Sequence, residues 1–367
     1  MARVAVLAGD GIGREVTAAA QRVLAEAVPS LAFEEALVGA SAIAACGTAL
    51  PGETLAACER ADAILFGAVG GAFNDIAPAD RPEAAILRLR KHFDLFANVR
   101  PARVFPGLED RSPLRERYAR GVDMVIVREL TAGLYFGDKT LASENGVTTA
   151  RESLVYTQDE IERVVRFGFE LARLRRGKLT SIDKANVMIS SQLWRRVADQ
   201  TASDFTDVRL EHMLADNAAM QLMREPAQFD VIVTDNTFGD ILSDEAAMIG
   251  GSIGLAPSAS LASMPAERGF GLYEPIAGTA PDIAGRDVAN PVAAILSAAL
   301  LCRFSLGDEP AARAIENAVE ATLARGPHTA DIASPPSSAV GTRAFTDAVV
   351  GTLRKTFASQ NGTKTAV

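Results

Sequence analysis

Apolar positions along this chain keep two alternating rhythms. Short runs dense in Val, Ile, Leu and Ala have the length and β-branched content of buried strands: RVAVLAG from residue 3, ADAILFGAV from 61, VDMVIV from 122, KLTSID from 178 and FDVIVTD from 229. Between them lie longer Ala-rich or amphipathic stretches that read as helices, among them REVTAAAQRVLAEAV from residue 14, NAAMQLMR from 217 and GDILSDEAAMIG from 239. Strands that alternate with helices predict an α/β fold with a mostly parallel sheet. Residues 131–157 break the rhythm, being polar, β-branched and more hairpin-like than helical. Two Gly-, Pro- and Ser-rich stretches near 96–113 and 250–265 are candidate hinges, and the last ten residues, 358–367, read as a frayed tail.

Composition narrows the function classes. The 367 residues include 37 Lys plus Arg and 46 Asp plus Glu, a formal charge of −9, and no basic run. This argues against a nucleic-acid partner, because neutralising phosphates needs a basic face. The longest apolar stretch, Val292 to Cys302, is short of the ~20 residues that cross a bilayer. Cys46, Cys58 and Cys302 lack CxxC spacing, and His92, His212 and His328 lack zinc spacing. The expectation is a soluble, cytoplasmic protein of roughly two domains, with no membrane partner.

Two glycine-rich motifs are decoys. Gly9-Asp10-Gly11-Ile12-Gly13 follows a strand and opens a helix, but Arg14 stands where a dinucleotide fingerprint needs its third glycine. Asp10 would also set a carboxylate against a pyrophosphate, so a tight turn is the simpler reading and a Rossmann fold is not expected. Gly133 to Thr140 imitates a phosphate loop with one spacer residue missing and Asp138 before Lys139.

The charged residues at the ends of predicted strands carry the chemistry. Asp240 and Asp244 lie four apart at a predicted helix start, on one face, where like charges call for a cation between them. Asp216 also sits at a helix start; all three could instead be caps or solvated residues. Oxygen ligands of this kind suit Mg²⁺ or Mn²⁺. Arg128 follows one strand and Lys184 another, in the crevice where α/β sheets bind ligands. With Arg90 and Arg100 they suggest a polyanionic small-molecule substrate, and Tyr135 is a candidate proton donor.

LAGDGIGREV, GAVGG, LRKHFDLFANVRPARVFPG, VIVRELTAGLYFG, SIDKANV, DNTFGDILSDEAAM and GLYEPIAGTAPDIAGRDVANP stand in an order and spacing that resembles the isocitrate/isopropylmalate dehydrogenase family of β-decarboxylating dehydrogenases. The likeness runs from residue 4 to about 355. It implies that family's fold, with two α/β domains: a discontinuous first domain of 1–97 and 256–357, and a second of 98–255 that makes the dimer contact and carries a hairpin arm at about 131–157. Departures are Ala8 and Arg14 in place of prolines, and Ala72-Phe73-Asn74 in place of Pro-Lys-Trp, all bordering the cofactor.

Carried over, the resemblance gives Arg90, Arg100 and Arg128 the substrate carboxylates, and Asp240 and Asp244 the metal. Lys184 and Asp216 would reach into a neighbouring subunit's site, making a homodimer with shared active sites. Lys184 would accept the hydroxyl proton and Tyr135 protonate the enol carbon. Gly70, Gly71, Glu83 and the loop of Gly278, Thr279, Ala280, Pro281, Asp282, Ile283 and Asn290 would hold the cofactor. Asp282 favours NAD, since a carboxylate binds ribose hydroxyls and repels a 2′-phosphate; a helix cap is its alternative role. Ile86 and Leu87, on the helical face of Arg90, suit a branched alkyl group, although both could be plain core. The implied reaction is oxidative decarboxylation of 3-isopropylmalate to 4-methyl-2-oxopentanoate and CO₂, in leucine biosynthesis. Alternatives are the same chemistry on tartrate, malate or homoisocitrate, or a non-catalytic subunit on the same fold.

Overall fold

Strands form where the apolar runs predict them. A computed structural model describes residues 1–71 and 81–364, so the Ala72-Phe73-Asn74 departure lies outside the described residues. In chain order the strands are β1 (Arg3–Gly9), β2 (Ala32–Glu35), β3 (Ala63–Ala68), β4 (Ala97–Arg103), β5 (Asp123–Glu129), β6 (Lys139–Glu144), β7 (Val147–Glu152), β8 (Lys178–Asp183), β9 (Arg209–Leu214), β10 (Val231–Thr234), β11 (Pro257–Leu261) and β12 (Gly271–Pro275). Ten of them make one sheet in the order β2-β1-β3-β12-β11-β4-β5-β10-β8-β9, and β6 and β7 form a separate hairpin.

Both flanks of the large sheet are parallel, while the three central pairings, β12 with β11, β11 with β4 and β4 with β5, are antiparallel. This mixed order is not that of a dinucleotide-binding Rossmann sheet. The Gly9 to Gly13 turn confirms the point chemically. Asp10 is buried, and its carboxylate accepts N–H groups from Ala40 at 2.7 Å, Ser41 at 2.9 Å and Gly70 at 3.2 Å. Asp10 therefore ties three chain segments together instead of facing a phosphate.

The stretches expected as hinges contribute strands. The strands at 97–103 and 257–261 pair with each other at the centre of the sheet. The helix Val292–Leu301 is buried along its whole length and packs on β11 and β12 and between the helices Gly13–Ala27 and Glu309–Arg325. Each fully buried Leu or Ile of such a helix contributes about 1.5–3 kcal/mol. Among the described residues, no helix is long and apolar enough to cross a membrane. The last helix spans Thr342–Lys364, so residues 358–364, read from sequence as tail, continue it.

Candidate active site

Strand register brings the arginines together. In the antiparallel β4–β5 pair Asn98 lies opposite Arg128, and Arg100 follows two residues along the same face. Both guanidiniums are buried, Arg100 at 7% and Arg128 at 2% exposure. Arg100 donates from Nε to Asn98 Oδ1 at 2.7 Å, and from Nη1 to Ser243 Oγ at 2.7 Å and Asp244 Oδ1 at 3.1 Å. Arg128 donates from Nε to Asn236 Oδ1 at 2.9 Å and from Nη1 to Asp240. Burial lowers the basicity of both, Arg128 to about 9, with Arg100 adding to the effect and Asp240 opposing it.

The acids come from the helix Asn236–Ile249. Its N-cap is Asp235, whose carboxylate accepts from Phe238 N at 2.8 Å. Asp240 therefore sits in the second turn and is not a cap. Tyr135 Oη donates to Asp240 Oδ2 at 3.0 Å, and burial, then the adjacent carboxylate, hold the phenol above its ordinary pKa. Burial also raises the Asp244 carboxyl, against the pull of Arg100. One aspartate thus gathers two guanidiniums and a phenol, since Arg100 Nη1 lies 3.5 Å from Asp240 Oδ1.

Arg90 reaches the same cluster from the helix Ala84–His92 and donates to Glu274 Oε1 at 3.0 Å, a buried carboxylate at the end of β12. A cavity of about 190 Å³ is lined by Ile86, Glu83, Arg90, Arg100, Glu274 and Gly278, among others. Ile86 and Leu87 are half-buried; Ile86 packs on the core and lines this cavity, and Leu87 lines another depression with Tyr135.

Lys184 and Asp216 stand apart. Lys184 follows β8, and its Nζ donates to Asp216 Oδ1 at 2.6 Å. Asp216 is the second residue of the helix Ala215–Arg224, whose N-cap is Leu214, so it is not the cap that its position suggests. Its carboxylate is largely exposed, and the Lys184 hydrogen bond holds its pKa below the ordinary range. Among the described residues, no three His, Cys, Asp or Glu side chains gather as a metal site, and no hydrogen bond or ion pair links the Lys184–Asp216 pair to Asp240 or Asp244.

The 278–290 loop lies against the Gly9 to Gly13 turn, with Ile12 N donating to Thr279 O at 2.9 Å. Gly70, at φ +156°, has room for a Cβ only 3.3 Å from both Glu83 and Thr279, so these three positions share one corner. Ala280 holds φ +38°, a left-handed conformation costing about 1–3 kcal/mol that persists at ligand clamps. Pro281 and Asp282 are exposed in a run of turns, which removes the helix-cap role for Asp282; Gly71 is exposed and Ile283 rests on the core. Asn290 donates to Asp331 Oδ2 at 2.9 Å and accepts from Val292 N at 3.0 Å. Glu274, Asn98, Ser243 and Asn236 are site residues that sequence reading misses, because their partners lie in other strands and helices.

Comparison with known proteins gives one picture. The model of the isocitrate/isopropylmalate dehydrogenase family matches residues 3–349. The chain is 54% identical to a 3-isopropylmalate dehydrogenase of Symbiobacterium thermophilum over 360 residues, 94% of this chain and 97% of the relative. It is 54% identical to that of Bacillus subtilis over 338 residues, 90% and 92% of the two chains. An isocitrate dehydrogenase from Methylococcus capsulatus superposes with a TM-score of 0.87 at 32% identity, covering 96% of this chain and 100% of that one. A β-decarboxylating dehydrogenase from Thermococcus kodakarensis gives 0.80 at 35% identity and 98% coverage of both.

Proposed function

This chain belongs to the isocitrate/isopropylmalate dehydrogenase family, and on that premise we propose that it oxidises and decarboxylates 3-isopropylmalate with NAD, giving 4-methyl-2-oxopentanoate and CO₂ as a step of leucine biosynthesis. The observation that carries the reading is Asp240, on which Arg100, Arg128 and Tyr135 converge. Three guanidiniums (Arg90, Arg100, Arg128) there balance three carboxylates (Asp240, Asp244, Glu274). A dianionic hydroxy diacid and a divalent cation add equal and opposite charge, so the balance survives loading.

The donor set fits a hard cation, being carboxylate oxygens on one helical face with no thiolate or imidazole. Asp240 and Asp244 of one protomer would hold it with Asp216 of another. The corner formed by Gly70, Glu83 and the strained 279–283 turn fits a dinucleotide, and the exposed Asp282 suits the ribose of NAD. When bound, NAD supplies the hydride acceptor, and Mg²⁺ or Mn²⁺ supplies Lewis-acid stabilisation of developing negative charge on oxygen.

The chain's own groups do the rest. Arg90, Arg100 and Arg128 orient the substrate carboxylates, and Ile86 and Leu87 take the alkyl group. Lys184 Nζ of the second protomer accepts the hydroxyl proton as C2 is oxidised. Tyr135 Oη, kept protonated beside Asp240, delivers a proton to the carbon from which CO₂ departs.

The homodimer has its own support. The helices that carry Asp216, Asp240 and Asp244 expose Met220, Met223, Ile241 and Met248, a patch that a second copy would cover. The β6–β7 hairpin is exposed along both strands, with Leu141 and Val147 in solvent, and two-stranded ribbons of that kind need a partner for stability. The setting is the cytoplasm, where the exposed Cys46 thiol stays reduced. NAD reduction measured with 3-isopropylmalate, tartrate, malate and homoisocitrate, with and without a chelator, tests the reading. Turnover of isopropylmalate that stops on chelation is expected. A different preferred acid overturns the substrate, and chelator-resistant turnover overturns the metal role.

A further inference from the structure

Arg128 is held in place by a chain of buried groups that the proposed chemistry does not use. Its guanidinium is a flat, rigid fork, so whatever fixes the plane fixes the grip on a carboxylate. Asn236 fixes it: Oδ1 accepts from Arg128 Nε at 2.9 Å, while Nδ2 donates to Ala132 O at 3.0 Å and the backbone N donates to Tyr156 Oη at 2.9 Å. Asn236 is 1% exposed, and its side-chain bonds to Arg128 and Ala132 lie out of water, where a lost partner is costly.

The chain continues through Tyr156. Burial, helped by the charge of Glu129 beside it, holds the phenol above its ordinary pKa, and Glu129 is a fully buried carboxylate that accepts Thr131 N and Thr131 Oγ1, both at 2.8 Å, and Ala132 N at 3.0 Å. Residues 131–133 leave the sheet toward the β6–β7 hairpin and residues 155–156 return from it, with Gly133 N donating to Val155 O at 3.1 Å. The two legs touch closely: a Cβ on Gly133, at φ +77°, would stand 2.3 Å from Tyr156 Oη. Trp194 packs its ring edge-on against Tyr156 at 5.9 Å. Both legs of the hairpin arm therefore meet at the first residue of the helix that bears Asp240 and Asp244.

We propose that Tyr156 and Asn236 are positioning residues that tie Arg128 to the root of the hairpin arm, so that the arm's placement sets the orientation of the arginine that grips the substrate. The proposal rests on the substrate role given to Arg128 above. Tyr156→Phe removes one oxygen atom and is expected to raise KM for the hydroxy diacid about 10-fold while leaving KM for NAD unchanged, since misorientation of one binding group commonly costs one to two orders of magnitude. Trp194→Phe loosens the same packing without touching the hydrogen-bonded chain, and is expected to lower the melting temperature with no change in either KM. A second readout needs no substrate. The Arg128 Nε–H resonance, identified by its loss in Arg128→Lys, is expected to shift in Tyr156→Phe and to stay put in Trp194→Phe. An unmoved resonance and an unchanged KM in Tyr156→Phe overturn the proposal, as does an equal rise of both KM values. If the wild type fails to turn over isopropylmalate but the resonance still shifts, the substrate reading falls and the tie stands.

Discussion

At the Arg128–Asp240 cluster the two arginines are buried and hydrogen-bonded on several sides, and part-exposed aspartates compensate their charge. At the Lys184–Asp216 pair groups of the same kinds lie nearer to solvent, joined by one 2.6 Å contact. The first arrangement is expensive to assemble and is fixed by the fold of a single chain. The second is a surface ion pair, of a class worth at most about 1 kcal/mol, so the folding of one chain gives little reason to keep it. On the reading proposed above, one protomer would complete the anion-gripping half of its site and present the proton-accepting half outward, to another protomer.

Breaking the buried half should have the largest effect. Asp240→Asn removes the charge of the proposed metal ligand and one of the two carboxylate oxygens that serve Arg128, Arg100 and Tyr135, and kcat is expected to fall by at least about 10³-fold in steady-state assays with saturating Mg²⁺. Lys184→Met, in the exposed half, is expected to lower kcat by about 10²–10⁴-fold with the melting temperature unchanged, because it removes the proposed proton acceptor and no buried contact. A large loss of stability in that variant would erase the contrast.

At the cofactor corner the expected effect is smaller. Asp282→Lys should shift the NAD-to-NADP ratio of kcat/KM by about tenfold or more, the worth of one charge-assisted hydrogen bond. An unchanged ratio would remove the ribose role of Asp282.

The smallest effect concerns the stability of the buried half. Burial pushes the Asp235 carboxyl up to about 6, against an ordinary value near 3.9 in the unfolded chain. The folded state therefore holds this proton more tightly, and the stability it contributes is complete below about pH 4 and lost as pH rises through about 6. Asp235→Asn keeps a good cap and carries no charge. It should melt roughly 2–4 °C above the wild type at pH 7 and level with it near pH 4. A gap that widens toward acid would contradict the burial argument.

Much of this was legible in the sequence. KLTSID is a strand over those same six residues because a short apolar, β-branched run bounded by Gly177 has no competing reading. The strand ends then place Arg128 and Lys184, and the spacing of Asp240 and Asp244 places both on one helical face. β11 was hidden by small residues, PSASL, in a Gly- and Pro-rich context that imitates a loop. The cap alternative for Asp216 stayed open because helix-start patterns cannot be resolved to one residue: the helix begins at Ala215, which frees the aspartate from capping. Glu274 and Asn236 left no local signal, since each meets its arginine across 184 and 108 residues of chain.

The claim that two protomers share each site is tested most directly by mixing Asp240→Asn with Lys184→Met, each nearly inert alone. If sites are shared, half of the randomly exchanged dimers are mixed and each mixed dimer regains one site free of both substitutions, restoring about a quarter of wild-type NAD reduction. If mixed dimers form, as recovery through a tag on one variant would establish, and activity stays at the level of the separate variants, each site is built from one chain and the account fails.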